Sequence, residues 1–277
     1  MIALLGPTQP LEEHLGPVRD VAARLGYRLD YFSWQDQKSE RAFFNILQAR
    51  NVAGLIIMEQ RYPVLLDREL WKGMRGIHCG PYAGEGDHAS PFPVVRHNPF
   101  DAAALAWKKA LETGAERIGL FLMPGGEQLN NVDAKTLASY HYHQRYVGRN
   151  LPRLRPLILP LGQAAMKGDA ARKWMTKERP EVVIAGVRKC YDHLIAMGCR
   201  IPKDLGLINL RKNSADQQIA GIVFDRIEIV RTAILHLHLH IQHGEEMSEV
   251  HETTVVLNPL WGAGASLALA AESGDKN

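Results

Sequence analysis

The feature that most constrains this 277-residue chain is a repeated alternation of short apolar runs with amphipathic segments. Residues 2–5 are wholly apolar, and apolar side chains then recur at helical spacing from Leu11 to Leu25. Gly26 follows, where the end of a helix favours a residue in the left-handed conformation. Strands without polar alternation are typical of parallel sheets covered on both faces. The sequence therefore predicts an α/β fold.

The alternation runs through two rounds, which a loop rich in glycine, proline and charge separates at residues 80–93. Strands are predicted at 2–5, 28–32, 52–58, 76–79, 94–95, 117–122, 157–159, 181–185, 206–210, 220–224 and 253–257. The longer predicted helices cover 11–25, 39–50, 99–111, 133–149, 164–177, 189–197 and 227–241. Asn98 and Pro99 form a typical helix start. We expect two doubly wound parallel-sheet lobes, with a final helix and strand that cross back between them.

Composition narrows the class of protein. The chain has 33 basic and 30 acidic residues without a basic block, which argues against direct DNA binding by this chain. Its three cysteines have no metal-like spacing and are interpreted as reduced thiols. No apolar run approaches the ~20 residues of a membrane span, and residues 2–5 are too short for a signal peptide. We therefore expect a cytoplasmic protein.

Six segments resemble a known family in their order and spacing. They are residues 20–27, 46–57, 98–107, 113–120, 174–183 and 197–205. Together they resemble the core of the lactose/galactose-repressor (LacI/GalR) family of bacterial transcription regulators, over residues 2–268.

The resemblance implies a periplasmic-binding-protein-like type I fold, in which three strands cross a hinge between two lobes. The implied N-terminal lobe is 1–96 plus 225–252, and the C-terminal lobe is 97–222 plus 253–268. Residues 269–277 are expected to be a disordered tail. The family also implies a homodimer and a helix-turn-helix head. Because nothing in this sequence resembles that head, we expect operator DNA to be bound only through a head that this chain lacks.

Candidate effector-binding residues follow the predicted strands, because ligands bind outside the carboxyl ends of strands in open α/β sheets. In the first round they are Thr8, Gln9, Trp34, Glu59, Gln60 and Tyr82. In the second they are Arg188, Asn209 and Arg211, with Thr136 on a predicted helix and Asp225 beside the predicted crossover. Trp34 could stack on a sugar ring. The competing interpretation is that most of them are solvated loop residues.

Departures from the family bear on the ligand. The resemblance implies an arginine at Thr136, and an acidic pair where Leu210 and Arg211 stand. In the family those acidic groups commonly bind sugar hydroxyls. One hypothesis is an anionic effector, such as a sugar phosphate or sugar acid, held by Arg188 and Arg211, because guanidinium binds carboxylate and phosphate bidentately. The alternative is that the effector is a plain sugar and that both arginines are surface residues.

Metal and enzyme chemistry have weak support. His236, His240 and His243 share a helical face at metal-ligand spacing, but no carboxylate or cysteine accompanies them. Cys190 and His193 are three residues apart, and a buried structural cysteine is the favoured interpretation. We therefore expect no metal, no cofactor and no catalytic residue.

The predicted function is ligand-driven closure of two lobes, which re-aims DNA-binding heads in a dimer. The effector would be a sugar, a sugar phosphate or a sugar acid. Three alternatives stay open: a solute-binding protein of a sugar transport system, an enzyme on the same fold, and a sensor that no longer binds a small molecule.

Overall fold

The computed structural model describes residues 1–6, 12–58, 66–80, 90–163, 168–213, 215–243 and 253–268. The chain divides into two units, one formed by Met1–His97 with Asp225–Leu257 and the other by Asn98–Phe224 with Asn258–Asn277. It therefore passes from one unit to the other three times.

Strands and helices alternate through the described residues. The strands are β1 Ile2–Gly6, β2 Leu29–Ser33, β3 Gly54–Met58, β4 Gly76–Cys79, β5 Val94–His97, β6 Ile118–Leu122, β7 Leu157–Ile158, β8 Val182–Ala185, β9 Gly206–Lys212, β10 Ala220–Val223, β11 Thr254–Leu257 and β12 Leu260–Gly262. The helices are α1 Glu12–Arg24, α2 Glu40–Ala49, α3 Pro99–Leu111, α4 Asn131–Tyr142, α5 Gly168–Glu178, α6 Arg188–Ala196 and α7 Arg226–His243. A π-helical turn, His143–Val147, continues α4.

Each unit contains one six-stranded sheet. The order is β11-β5-β4-β3-β1-β2 in the first unit and β12-β10-β9-β8-β6-β7 in the second. Neighbouring strands are parallel, except that β12 pairs antiparallel with β10. The predicted fold of two doubly wound parallel sheets is confirmed.

The core of the first unit has two layers. On one face of the sheet, α1 and α7 contribute apolar residues such as Val18 and Ile234. On the other face, α2 contributes Phe43, which packs beside Trp71 and Phe92. Apolar burial on both faces explains why these strands have unbroken apolar sequences.

The second unit has the same layered plan. Helices α3 and α4 cover one face of its sheet, with Trp107 and Tyr140 buried there. Helices α5 and α6 cover the other face, with Trp174 and Leu194 buried. Trp107 and Trp174 are therefore core residues.

Two local signals are confirmed. Gly26 has a φ of 82° just after α1, a conformation that glycine adopts without steric cost. The Asn98 side chain accepts a hydrogen bond from the Phe100 backbone N–H at 3.0 Å, and Pro99 opens α3. The cap satisfies a backbone donor that the helix itself leaves unpaired.

The structure corrects the predicted end of the chain. Strand β11 pairs in parallel with β5 and belongs to the first unit, whereas the predicted C-terminal lobe included residues 253–268. Strand β12 was not predicted, because its three residues are too few for a periodic pattern. The predicted helix 133–149 gives way to the π-helical turn after Tyr142. The proposed tail 269–277 lies outside the described residues.

None of the helices in the described ranges is long and apolar enough to cross a membrane.

Candidate functional site

A small depression lies in the second unit at the carboxyl edge of its sheet, where ligands bind in open α/β folds. It is bordered by the first turns of α3 and α4, the residue after β8, and the ends of β9 and β10. The described residues that line it are Pro99, Ala102, Val132, Asp133, Thr136, Gly186, Leu210, Arg211 and Phe224. Its volume is about 10 Å³, room for about one water molecule. A larger ligand therefore needs contacts beyond these side chains.

Asp133 is the buried acid of this depression, with 7% of its surface exposed. The Asn130 side chain caps α4 by accepting from the Asp133 backbone N–H at 2.9 Å. In return, Asn130 Nδ2 donates to Asp133 Oδ2 at 2.8 Å. This reciprocal cap holds the carboxylate in the first turn of the helix, where the helix dipole favours negative charge.

Burial raises the pKa of Asp133, and the nearby Arg211 charge and the Asn130 hydrogen bond oppose that shift only in part. A raised pKa means that ionised Asp133 is less well stabilised than a carboxylate in water. The site thus holds a desolvated acceptor, which a hydroxyl group of a ligand could satisfy.

A β-bulge positions Arg211. Asn209 pairs with Gly221 and Lys212 with Val223, so β9 has one more residue than β10 between these pairs. The Asn209 side chain accepts from the Arg211 backbone N–H at 2.7 Å, which satisfies a donor in the irregular segment. A Cβ at Gly221 would lie 2.0 Å from the Asn209 carbonyl oxygen, so only glycine fits there. The bulge leaves Arg211 exposed between the buried residues Leu210 and Lys212.

Thr136 lines the depression one turn after Val132. Its hydroxyl donates to the Val132 carbonyl oxygen at 2.8 Å, and the side chain is buried. With its proton used inside the helix, Thr136 Oγ1 can offer a ligand only its lone pairs. The site therefore combines two acceptors, Asp133 and Thr136, with the donor Arg211.

Arg188 forms ion pairs away from the depression. Its guanidinium pairs with Asp216 at 2.5 Å and with Asp192 at 3.3 Å, and it lies over the Tyr191 ring. It does not line the depression. The predicted partnership of Arg188 and Arg211 around one anion is thus not assembled in this structure.

The remaining predicted residues are dispersed. Asn209 is buried and supports the bulge. Asp225 caps α7 by accepting from the backbone N–H groups of Ile227 at 2.9 Å and Glu228 at 3.1 Å. Trp34 packs against the core of the first unit. The other candidates, Thr8, Gln9, Glu59, Gln60 and Tyr82, lie outside the described residues.

Asp133 and Phe224 are lining residues that the sequence analysis missed. Asp133 follows Asn130 by three residues, which is a helix-capping pattern, and its electrostatic interaction with Arg211 depends on tertiary structure. Phe224 directly follows β10, so the strand-end rule could have found it.

His238, which neighbours the histidine candidates on α7, and the candidate Cys190 both have contacts within the fold. His238 Nδ1 is hydrogen-bonded to the Tyr27 hydroxyl at 3.0 Å, across the contact between α7 and the end of α1. Within the ranges that the structure describes, no three His, Cys, Asp or Glu side chains are grouped closely enough to hold a metal ion. Cys190 is fully buried, and burial raises the pKa of its thiol to about 12. A thiol with that pKa is not a ready nucleophile at neutral pH.

Comparisons with known proteins identify the fold. No family model matches this sequence, and no curated protein matches it. Solved structures do match. A LacI-family transcriptional regulator from Rhizobium etli has a TM-score of 0.69 at 14% identity, over 96% of this chain and 98% of that one. The transcription regulator CcpA of Lactococcus lactis has a TM-score of 0.67 at 14% identity, over 97% and 99%.

A third structure is described as a periplasmic binding protein/LacI transcriptional regulator from Alkaliphilus metalliredigens, in complex with D-xylulofuranose. It has a TM-score of 0.66 at 13% identity, over 96% of this chain and 99% of that one. The chain therefore has the periplasmic-binding-protein-like type I fold, and the resemblance found in the sequence is confirmed at the level of the fold.

Proposed function

We propose that this chain is the effector-binding and dimerising core of a LacI-type transcription regulator. A small ligand would shift the two units toward one arrangement, and a dimer would pass that change to DNA-binding heads. No bond is broken in this mechanism. The fold shared with several transcription regulators supports the proposal.

The observation that carries the proposal is the depression formed by Asp133, Thr136 and Arg211. A buried carboxylate, an oxygen with free lone pairs and a guanidinium form a hydrogen-bonding set in an otherwise apolar lining. Placing a carboxylate there costs folding free energy, because burial disfavours its charged form. A binding role gives a reason for that cost.

The same residues favour a neutral hydroxylated ligand over an anion. The positive charge of Arg211 interacts electrostatically with the carboxylate of Asp133, so the two charges offset each other. Arg188 is already paired with two carboxylates. A sugar can donate a hydroxyl to Asp133 and accept from Arg211, whereas an anion would meet repulsion from Asp133. The sugar found in the Alkaliphilus neighbour supports this class.

A thermal-shift screen tests the ligand class. Neutral pentoses and hexoses are compared with the matching sugar phosphates and sugar acids, at equal concentrations. We expect neutral sugars to stabilise the protein, by about 2.7 kcal/mol at a hundredfold excess over the dissociation constant. Stabilisation by phosphates or acids alone would restore the anion hypothesis, and no stabilisation by any of the compounds would contradict sugar sensing.

A solute-binding protein is the second candidate, because the Alkaliphilus neighbour is described by both names. Two observations separate the candidates. The regulator proposal expects a dimer in sedimentation velocity and a helix-turn-helix encoded ahead of Met1. A monomer whose gene encodes a signal peptide there would favour the transport protein.

A further inference from the structure

A cluster of arginines lies on the surface of the second unit, on the π-helical turn and the loop that joins it to β7. Residues 134–168 contain six basic and no acidic residues, although the whole chain has 33 and 30. Four of the six are exposed arginines of residues 145–155, here called the arginine loop: Arg145, Arg149, Arg153 and Arg155. In the parts of the chain that the structure describes, none of the four forms an ion pair. The loop therefore presents positive charge that the described fold does not neutralise.

A buried hydrogen bond closes the arginine loop. Gln144 Nε2 donates to the Leu154 carbonyl oxygen at 2.9 Å, and both residues are buried. Arg145 directly follows Gln144, while Arg153 and Arg155 flank Leu154. The bond thus brings together charges that lie up to ten positions apart in the sequence. No basic block is visible in the sequence because uncharged residues separate the arginines.

The inner side of the loop is fixed to the rest of the unit. The Arg155 backbone N–H donates to Glu178 Oε2 at 3.1 Å, and Trp174 Nε1 donates to the Arg155 carbonyl oxygen at 2.6 Å. Compact surface loops with closed ends are frequently functional. A backbone that is already ordered loses less conformational entropy when a partner binds. The loop is therefore suited to present its outer side chains to another molecule.

Exposed aromatic side chains accompany the arginines. Tyr142 is 49% exposed and Tyr146 is 62% exposed, and their rings are 5.2 Å apart between centroids. The Arg145 guanidinium lies over the Tyr146 ring at 5.7 Å from its centroid. Arginine and tyrosine are enriched in protein–protein interfaces, whereas lysine is depleted. The arginine loop contains no lysine, so its composition is typical of such an interface.

These features favour an acidic peptide segment over a nucleic acid. Guanidinium groups bind carboxylates through two parallel hydrogen bonds. Single-stranded nucleic acids bind by stacking their bases on open aromatic faces, but Tyr146 already packs against Arg145 and Tyr142. Duplex DNA binders typically contact about six to ten phosphates, which is more than the four arginines of this loop can provide.

We propose that the arginine loop is a docking surface for an acidic segment of another protein. Carboxylates of that segment would pair with Arg149, Arg153 and Arg155, and its apolar side chains would cover Tyr146 and Val147. None of these five residues lines the depression. The proposal goes beyond effector binding and does not depend on it.

Fluorescence anisotropy with a labelled peptide tests the surface. The probe is a twelve-residue peptide of Asp, Glu, Leu and Phe, and the control peptide has Asn and Gln in place of every Asp and Glu. The full chain is titrated into each at about 50 mM and about 300 mM salt, because salt screens exposed charges. We expect saturable binding of the acidic peptide that weakens with salt, and no saturation with the neutral one. Equal binding of both peptides, or no saturation with the acidic peptide, would overturn the proposal.

Two double variants locate the binding. Arg149→Gln combined with Arg153→Gln should weaken the acidic peptide roughly tenfold, the size of two exposed ion pairs. Arg24→Gln combined with Arg41→Gln is the matched control, because both residues are exposed arginines, on α1 and α2, and the net charge changes equally. We expect the control to bind like the parent. Equal losses in the two double variants would overturn the proposal, since the peptide would then recognise only net charge.

Nucleic acid is tested in the same assay. A labelled single strand of twelve nucleotides and a duplex of twelve base pairs replace the peptide. We expect both to bind more weakly than the acidic peptide. Tighter binding of either one, lost in the variant with Arg149→Gln and Arg153→Gln, would overturn the protein partner and indicate a nucleic-acid surface instead.

Discussion

The two units share a sheet order but differ in what they bury. In the described residues of the first unit, the buried polar side chains are Ser33, His78, Ser90 and His97, with no Asp, Glu, Lys or Arg. The described part of the second unit buries three charged side chains, Asp133, Glu178 and Lys212. Since the folds match, the fold does not require this difference, and its cause lies in local structure or in function.

Each of the three buried charges has a hydrogen-bond partner within the second unit. Glu178 Oε2 accepts from the Arg155 backbone N–H at 3.1 Å. Lys212 Nζ donates to the Asp216 carbonyl oxygen. Asp133 differs, because it lines a depression with Thr136 and Arg211. The comparison therefore separates two charges with contacts inside the unit from one that we propose also binds a ligand.

The largest expected effect concerns the apolar core of the first unit. Phe43 is 1% exposed and packs among Phe32, Trp71 and other large side chains. Phe43→Ala should lower the free energy of unfolding by about 3–5 kcal/mol, from lost burial and the cavity left behind. Urea denaturation followed by tryptophan fluorescence measures this. A loss under about 1 kcal/mol would mean that this core is not well packed.

Two substitutions of Glu178 test how a buried charge with a partner inside the fold contributes to stability. Glu178→Ala removes the acceptor of the Arg155 N–H and should cost about 1–3 kcal/mol. Glu178→Gln keeps a side-chain oxygen in place and should cost clearly less. Thermal unfolding of both variants gives the comparison. If glutamine and alanine destabilise equally, the negative charge matters and the hydrogen bond does not.

Removing the charge of Asp133 should stabilise the protein, whereas the Glu178 substitutions should destabilise it. Because its pKa is raised in the folded state, its ionisation costs stability once the pH exceeds the ordinary value of 3.8. Below that value the carboxyl is protonated in both states and contributes nothing to the difference. Asp133→Asn should therefore gain stability relative to the parent as the pH rises from 4 to 7.

Urea denaturation of the parent and Asp133→Asn at pH 4 and pH 7 tests this sign. An asparagine at this position can still accept from Asn130 Nδ2, so the helix cap is preserved. A parent that becomes more stable than the variant as the pH rises would show that Arg211 more than offsets the burial of Asp133.

The sequence predicts the framework of this molecule better than its site. Apolar runs such as Leu55 to Ile57 predict buried strands, because a parallel sheet covered on both faces requires them. Asn98 and Gly26 predict element ends because their effects are local. The sheet to which β11 belongs could not be predicted in this way, because the sequence of a strand does not specify which sheet it joins.

The site depends on contacts between residues distant in sequence. Asp133 and Arg211 are 78 positions apart, and only the capped start of α4 and the bulge in β9 bring them near each other. The predicted role of Arg188 depended on the absence of partners, and Asp216 supplies one from another loop. Strand-end reasoning indicates one edge of the sheet without identifying which side chains there are already paired within the fold.

Isothermal titration calorimetry with Asp133→Asn tests the central claim most directly. The titrant is the neutral sugar that stabilises the parent most in the thermal-shift screen. The matched control is Asp169→Asn, which changes an exposed aspartate in the first turn of α5. We predict that Asp133→Asn weakens sugar binding at least about tenfold, from the loss of a charged hydrogen-bond acceptor, and that Asp169→Asn binds like the parent. Unchanged affinity in Asp133→Asn, or equal losses in both variants, would contradict the account.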